Sequence, residues 1–303
     1  MHFLSKRVVI ALLAASLLLA GGCSMFKLAY NNADFAINWM LDGYFDLHGE
    51  QHALLKARLD TLQTWHRSEE LPLYVEGLKA VQLRTRREMQ REDVDWIMDA
   101  AKKRYERLVR EAAPGAAELL VTITPEQIKT LENKYAKNNK KFAKEHKING
   151  IPEEQRKARV KKVIESVEEW VGNLTDEQEA QLRATIETWP LNYTQAQEDR
   201  LRRQREFIAL LEKKHDVKTL TPLVVDWMIQ YEQGRTPEFA AYSQQRTENF
   251  IHLVLQTDRM LKPKQRAHFH GKLDGYIGDF SALARIKHAA LPVGYAIASD
   301  LAK

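Results

Sequence analysis

The sequence predicts an all-α protein, an elongated body of many helices. Glycine and proline are sparse, 13 and 9 in 303 residues, so little interrupts a helix. Apolar residues recur with the 3.6-residue period over long stretches. No stretch shows the convincing alternation of apolar and polar residues that marks a half-buried strand.

The first element stands apart from that body. Lys6 and Arg7 precede an apolar run over residues 8–20, and Gly21 and Gly22 stand directly before Cys23. A positive start, a short apolar stretch and small residues in that order describe a secretory leader, too short and too glycine-ended for a stable span. The run Leu19-Ala20-Gly21-Gly22-Cys23 resembles the lipobox of bacterial lipoproteins, with Ala20 standing where that box usually has Leu. The resemblance implies removal of residues 1–22, then a diacylglycerol and an N-acyl chain (palmitate is the usual one) on Cys23. It also implies an address in a Gram-negative envelope. By the sorting convention of that class, Ser24 implies the periplasmic face of the outer membrane. Each buried methylene contributes about 0.8 kcal/mol, so two or three chains anchor firmly. Cys23 is the only cysteine, so the mature chain is expected to rely on packing without disulfides, and acylation would remove the thiol as a nucleophile.

Residues 23–46 are expected to hold the acylated N-terminus and a first helix, with Phe35, Trp39 and Tyr44 on or near one face. Phe26, Leu28 and Tyr30 are assigned to packing on the body rather than to the bilayer interface. A first helical half follows over residues 47–172. In it Leu54, Leu55, Leu59, Leu62 and Trp65 mark one helical face, and Val160, Val163, Ile164, Val167 and Trp170/Val171 mark another. A second half runs over residues 173–303, where Leu201, Phe207, Ile208 and Leu211 define a face.

Helix starts recur in one form. In Ile123-Thr124-Pro125-Glu126-Gln127 and Leu174-Thr175-Asp176-Glu177-Gln178, Thr accepts from the N3 amide while Gln reaches back, forming a capping box. Pro125 suits N1, and the acids suit the positive end of the helix dipole. Looser forms end at Gln51, Gln155 and Gln265. Breaks are expected at residues 112–115, 148–152, 172–173, 189–190 and 233–237, where Gly, Pro or Asn interrupt the pattern. None is long enough for a flexible linker.

The order of these markers suggests an internal duplication. Gln51, Trp65, Asp95-Trp96-Ile97-Met98, Gln127 and Phe142 are echoed by Gln178, Trp189, Asp226-Trp227-Met228-Ile229, Gln265 and Phe280. Leu41-Asp42-Gly43-Tyr44 is likewise echoed by Leu273-Asp274-Gly275-Tyr276. Two related helical units in tandem would produce this series.

Several longer runs carry a family likeness. Tyr30-Asn31-Asn32-Ala33-Asp34, Trp39 with residues 41–47, Gln51, Trp65-His66-Arg67-Ser68-Glu69-Glu70-Leu71-Pro72, the start ending at Gln127, and Asn138-Asn139-Lys140-Lys141-Phe142 together resemble an uncharacterised lipoprotein family of Gram-negative bacteria. That resemblance implies a helical envelope protein and carries no chemistry. The pentapeptide ending at Gln178 also resembles the Leu-Thr-x-x-Gln motif of Spy and CpxP, small helical periplasmic chaperone and stress proteins. The one ending at Gln127 differs by Ile for Leu.

Chemistry is sparse. No phosphate-cradling Gly-rich loop and no nucleophile elbow occur. His48 and His52 stand at i and i+4, but Gly49 sits where a zinc-protease helix needs Glu, so a cap and a surface His are expected there. His268 and His270 at i, i+2 diverge on a helix. Trp96 and Trp227 are assigned to the core. The whole chain carries +5, and Lys6 and Arg7 leave with the leader. The mature chain is therefore close to neutral, and nucleic acid is not an indicated partner.

Residues 129–162 depart from this balance, with twelve basic residues against the acids Glu132, Glu145, Glu153 and Glu154. Lys134, Lys137, Lys140, Lys141, Lys144, Lys147, Arg156, Lys157, Arg159, Lys161 and Lys162 are the candidate residues for an anionic partner. That partner would be anionic lipid, a cell-wall polymer or an envelope protein. The expected function is non-enzymatic binding or assembly in the envelope, without metal or cofactor beyond the acyl chains. A Spy-like chaperone is the alternative, and oligomeric state stays open.

Overall fold

The computed structural model describes residues 25–285; Cys23 and the leader lie outside them. Every regular element among the described residues is helical. In chain order these are α1 (Met25–Asn31), α2 (Ala33–Phe45), α3 (Gly49–Trp65), a π-helical turn (His66–Glu70), α4 (Leu71–Arg84), α5 (Arg91–Leu120) and α6 (Pro125–Glu145). After them come α7 (Pro152–Val171), α8 (Asp176–Glu187), α9 (Tyr193–Glu212), α10 (Val217–Ile229), α11 (Pro237–Met260) and α12 (Pro263–Arg285). The all-α class and the elongated body stand as expected.

The core is divided into linked clusters. One joins Phe45, Leu55, Leu119, Leu131 and Leu211, so α9 from the second half closes a core built by the first. A second joins Val160 and Ile164 of α7 to Leu182 and Ile186 of α8 and Leu253 of α11. The exchange runs both ways, because α4 packs along α12 and α10 packs along α5. Leu182 is fully buried. Leu182→Ala is expected to cost about 2–5 kcal/mol, read as a lowered urea midpoint with an unchanged m-value.

Four of the five helix starts are built as expected, with one addition the sequence did not disclose; the fifth is not, because Gln155 lies one residue too far into α7 to cap it and donates to Lys147 O instead. The Thr124 hydroxyl accepts from the Gln127 backbone N–H at 3.3 Å, and Gln127 Oε1 accepts from the Thr124 N–H at 3.0 Å. Thr175 and Gln178 repeat this at 3.4 and 3.0 Å. The capping glutamines also meet in pairs. Gln51 and Gln127 exchange side-chain hydrogen bonds at 3.1 and 2.7 Å. Gln178 and Gln265 exchange theirs at 3.0 and 2.9 Å. Each also donates across the junction to the segment just before its partner's helix: Gln51 to Thr122 O, Gln127 to Asp46 O, Gln178 to O of Met260 at the end of α11, and Gln265 to Asn173 O. All four side chains are buried. The repeated marker order thus corresponds to two clasps of the same design. A guanidinium stack repeats as well: Arg84 lies 3.8 Å from the Trp96 ring and Arg203 4.2 Å from that of Trp227. Both indoles are half-buried under these arginines instead of lying in the deep core.

One expected break is absent. Residues 112–115 lie inside α5, which runs through Pro114 without ending. Ala113 and Ala117 are buried against Leu220 and Val224 of α10. A Cβ on Gly115 would lie only 3.1 Å from Arg58 Cβ. Small residues here let two helices close in on α5, and that packing outweighs the cost of the proline. Pro222 likewise lies within α10.

The π-helical turn carries a buried polar knot. Glu70 is 0% exposed and lies 3.0 Å from Arg107 and 3.6 Å from Arg104. Tyr30 meets His66 Nδ1 at 2.8 Å, and Arg67 donates to Asn31 Oδ1 at 2.8 Å. The knot ties α1 to the body, together with Phe26 packed edge-on to Phe280. Burial pushes the Tyr30 phenol up to about 12 against the opposing pull of Arg67. Burial also lowers His66 from its ordinary 6.5. A lowered histidine favours the folded state above its unfolded value and withdraws that support as pH falls. Stability is therefore expected to fall as pH drops below about 6.5 and onward through the folded value. His146, lowered chiefly by burial and next by Lys162, acts in the same sense. His66→Phe is expected to flatten part of that slope in urea titrations at successive pH values.

Candidate functional site

A groove of about 870 Å³ is walled by α4, the start of α5, α7, α11 and α12. It arises because α7 presents two apolar rows. Val160 and Ile164 enter the core with α8. Val163 and Val167, one turn apart, pack against the edge of that core and line the groove. Across it stand Leu78 and Val81 of α4, Ile97 and Met98 of α5, Val254 of α11, and Phe269 and Leu273 of α12. Trp170 and Phe250 form lips, 40% and 49% exposed.

Polar groups are few and placed at the margins. Lys162 and Arg246 line the opening, both exposed, and neither has an ion-pair partner among the described residues. The hydroxyls of Ser166 and Thr247 donate to carbonyls of their own helices at 2.8 and 3.2 Å. Thr257 lines the wall, and its buried hydroxyl has no hydrogen-bond partner. Asp258, the carboxylate on the lining, is already committed. It accepts from the Met89 N–H at 2.7 Å and from Arg266 at 2.8 Å, which fixes the floor between the α4–α5 loop and the α11–α12 corner. The arrangement suits an elongated apolar ligand with a negative end, and its volume lies in the small-ligand range.

The basic segment divides between α6, the following loop and α7. Part of it serves the fold. Arg156 donates to Glu187 O and Trp189 O, and Arg159 donates to Trp189 O and Pro190 O, holding the loop whose Trp189 closes one end of the groove. Lys134 lies over the Tyr44 ring at 5.4 Å. Lys147 pairs with Glu154 at 2.8 Å, while Lys141, Lys157 and Lys161 pair along their own helices. Such exposed pairs contribute little. Lys137, Lys140, Lys144 and Lys162 have no ion pair among the described residues. Of the candidates, Lys162 lines the groove directly. Arg246, Phe250 and Thr257 escaped the sequence reading. The signal for α11 was present in Phe250, Leu253 and Val254 at helical spacing beneath a basic residue.

His48 and His52 are occupied locally. His48 is an N-cap residue of α3 whose N–H is capped by Gln51 at 3.0 Å. His52 meets Asn38 at 2.7 Å and Asp42 at 3.4 Å. No His, Cys, Asp and Glu cluster with metal-binding geometry occurs among the described residues. No helix among them is long and apolar enough to cross a membrane. Residues 43–240 match the model of a family described as a family of unknown function (DUF6279). No curated protein and no solved structure matches the chain.

Proposed function

The chain belongs to this family of unknown function, DUF6279, and we propose that it is a non-catalytic binding protein of the bacterial envelope whose groove holds the apolar chain of an anionic amphiphile, such as a fatty acid or phospholipid. In this reading Cys23 carries the acyl anchor, on the periplasmic face of the outer membrane. The observation that carries it is the groove: an apolar wall, with Lys162 and Arg246 at the opening and no acid free beside them. Apolar burial supplies affinity, and the cations select the headgroup.

The chaperone alternative uses the same groove for apolar side chains of unfolded proteins, with Trp170 and Phe250 as its exposed lips. The Leu-Thr-x-x-Gln likeness adds little to it, because the four glutamines are buried in helix clasps.

The test is titration of a chain beginning at Ser24 with a fluorescent fatty acid. Saturable binding displaced by oleate is expected. A Lys162→Glu/Arg246→Glu variant is expected to bind about tenfold more weakly, with a smaller loss for an uncharged acyl alcohol. Equal losses for both probes would remove the headgroup role. Absence of binding, together with suppressed aggregation of a denatured protein, would favour the chaperone.

A further inference from the structure

The first two helices show one face to the body and a different chemistry outward. On the inner face Phe26 packs on Tyr276 and Phe280, Tyr30 meets His66, and Tyr44 packs on Tyr135. On the outer face the exposed positions Leu28, Phe35, Ala36, Trp39, Met40 and Gly43 recur at helical spacing; contrary to expectation, Leu28 does not pack on the body, being 57% exposed, and Tyr44 lies on the opposite side from Phe35 and Trp39. Phe35 is 72% and Trp39 74% exposed. No exposed position from Leu28 to Gly43 is charged. The two acids of α2 are engaged toward α3: Asp34 lies 3.9 Å from Lys56, while Asp42 accepts from the Leu47 N–H and neighbours His52. A solvated helix face ordinarily carries charges, and an uncharged one bearing Trp and Phe marks a contact surface.

We propose that this face is seated in the interfacial layer of a lipid bilayer, with Trp39 at headgroup depth. The position of the face commits it to that occupant. Met25 is the first described residue of α1, and the sequence just before it holds the apolar run of residues 8–20 and then Cys23. Either an acylated Cys23 or a retained apolar run would hold the start of α1 at a membrane. Indole and phenyl rings favour the headgroup boundary. Lysines of the adjoining α6 suit an anionic surface: Lys134 lies over Tyr44 and beside Gly43, and the exposed Lys137 follows one turn later. The bilayer seating extends the envelope reading and shares its membrane address.

The test is reconstitution of the full chain into nanodiscs whose phospholipids carry bromine just below the headgroups. Part of the tryptophan emission is expected to be quenched, and Trp39→Phe is expected to remove that part. A Trp170→Phe control separates lipid in the groove from lipid beneath α2. Quenching that is the same in wild type and Trp39→Phe overturns the proposal. In a second arm, Phe35→Ser/Trp39→Ser in the chain beginning at Ser24 is expected to weaken partition into phosphatidylglycerol-containing vesicles by about tenfold or more. Its thermal melting should be unchanged, because both side chains are exposed. Undiminished partition, or a lipid-free dimer that the double variant dissolves, overturns it as well. The intact mass at Cys23 reports the anchor separately: an unacylated thiol with Trp39 still quenched sinks the anchor and leaves the seating.

Discussion

Gln127→Ala is expected to destabilise the protein by about 3–4 kcal/mol. The side chain caps the Thr124 N–H, donates to Asp46 O and exchanges two bonds with Gln51, all within a buried junction. Truncation strands buried groups on both α3 and α6, and a stranded buried group costs more than an ordinary bond contributes. A double-mutant cycle with Gln51→Ala should show coupling of about 1–2 kcal/mol. Gln155→Ala is the internal comparison. That glutamine also sits at a helix start, but its amide reaches Lys147 O at 2.7 Å without a glutamine partner. Its loss is expected to cost about 1 kcal/mol. Equal costs for Gln127 and Gln155 in urea unfolding would mean that the cap and the glutamine exchange together add nothing beyond a single buried hydrogen bond.

The second large effect concerns binding. Val167→Trp should fill the groove from α7, since Val167 faces the cavity one turn from Val163 and is only partly buried. Fatty-acid affinity is expected to fall about thirtyfold or more, because the acyl chain loses its apolar surroundings. Stability should change by less than about 1.5 kcal/mol, as the added ring occupies existing space. The paired measurement is a probe titration beside a urea melt. Lost affinity with an intact melt places the ligand in the groove.

The fold class was legible because helical periodicity and capping are local properties. Thr124, Gln127, Thr175 and Gln178 write their helix starts directly into the chain. The pairing of glutamines was visible only as a repeated order of markers, since which start meets which depends on contacts 76 and 87 residues apart. Pro114 misled for the opposite reason. A local rule ends helices at such residues, yet the approach of α10 and α3 holds α5 through it. The groove was half legible. Val163, Val167 and Lys162 lay in stretches already marked as apolar or basic, while Arg246 and Thr257 gained meaning only when α11 was laid across α7. The exposed face of α1 and α2 reads from sequence as an ordinary apolar stripe. Only the docking of Phe26, Tyr30 and Tyr44 shows which side remains uncovered.

The most direct measurement of the central claim is native mass spectrometry of the chain purified from its own envelope, compared with the Val167→Trp variant. The groove reading predicts wild-type protein carrying about one noncovalent acyl amphiphile per chain, released on activation, and a variant largely free of it. Wild-type protein without any adduct, or a variant carrying the same adduct, would contradict that reading.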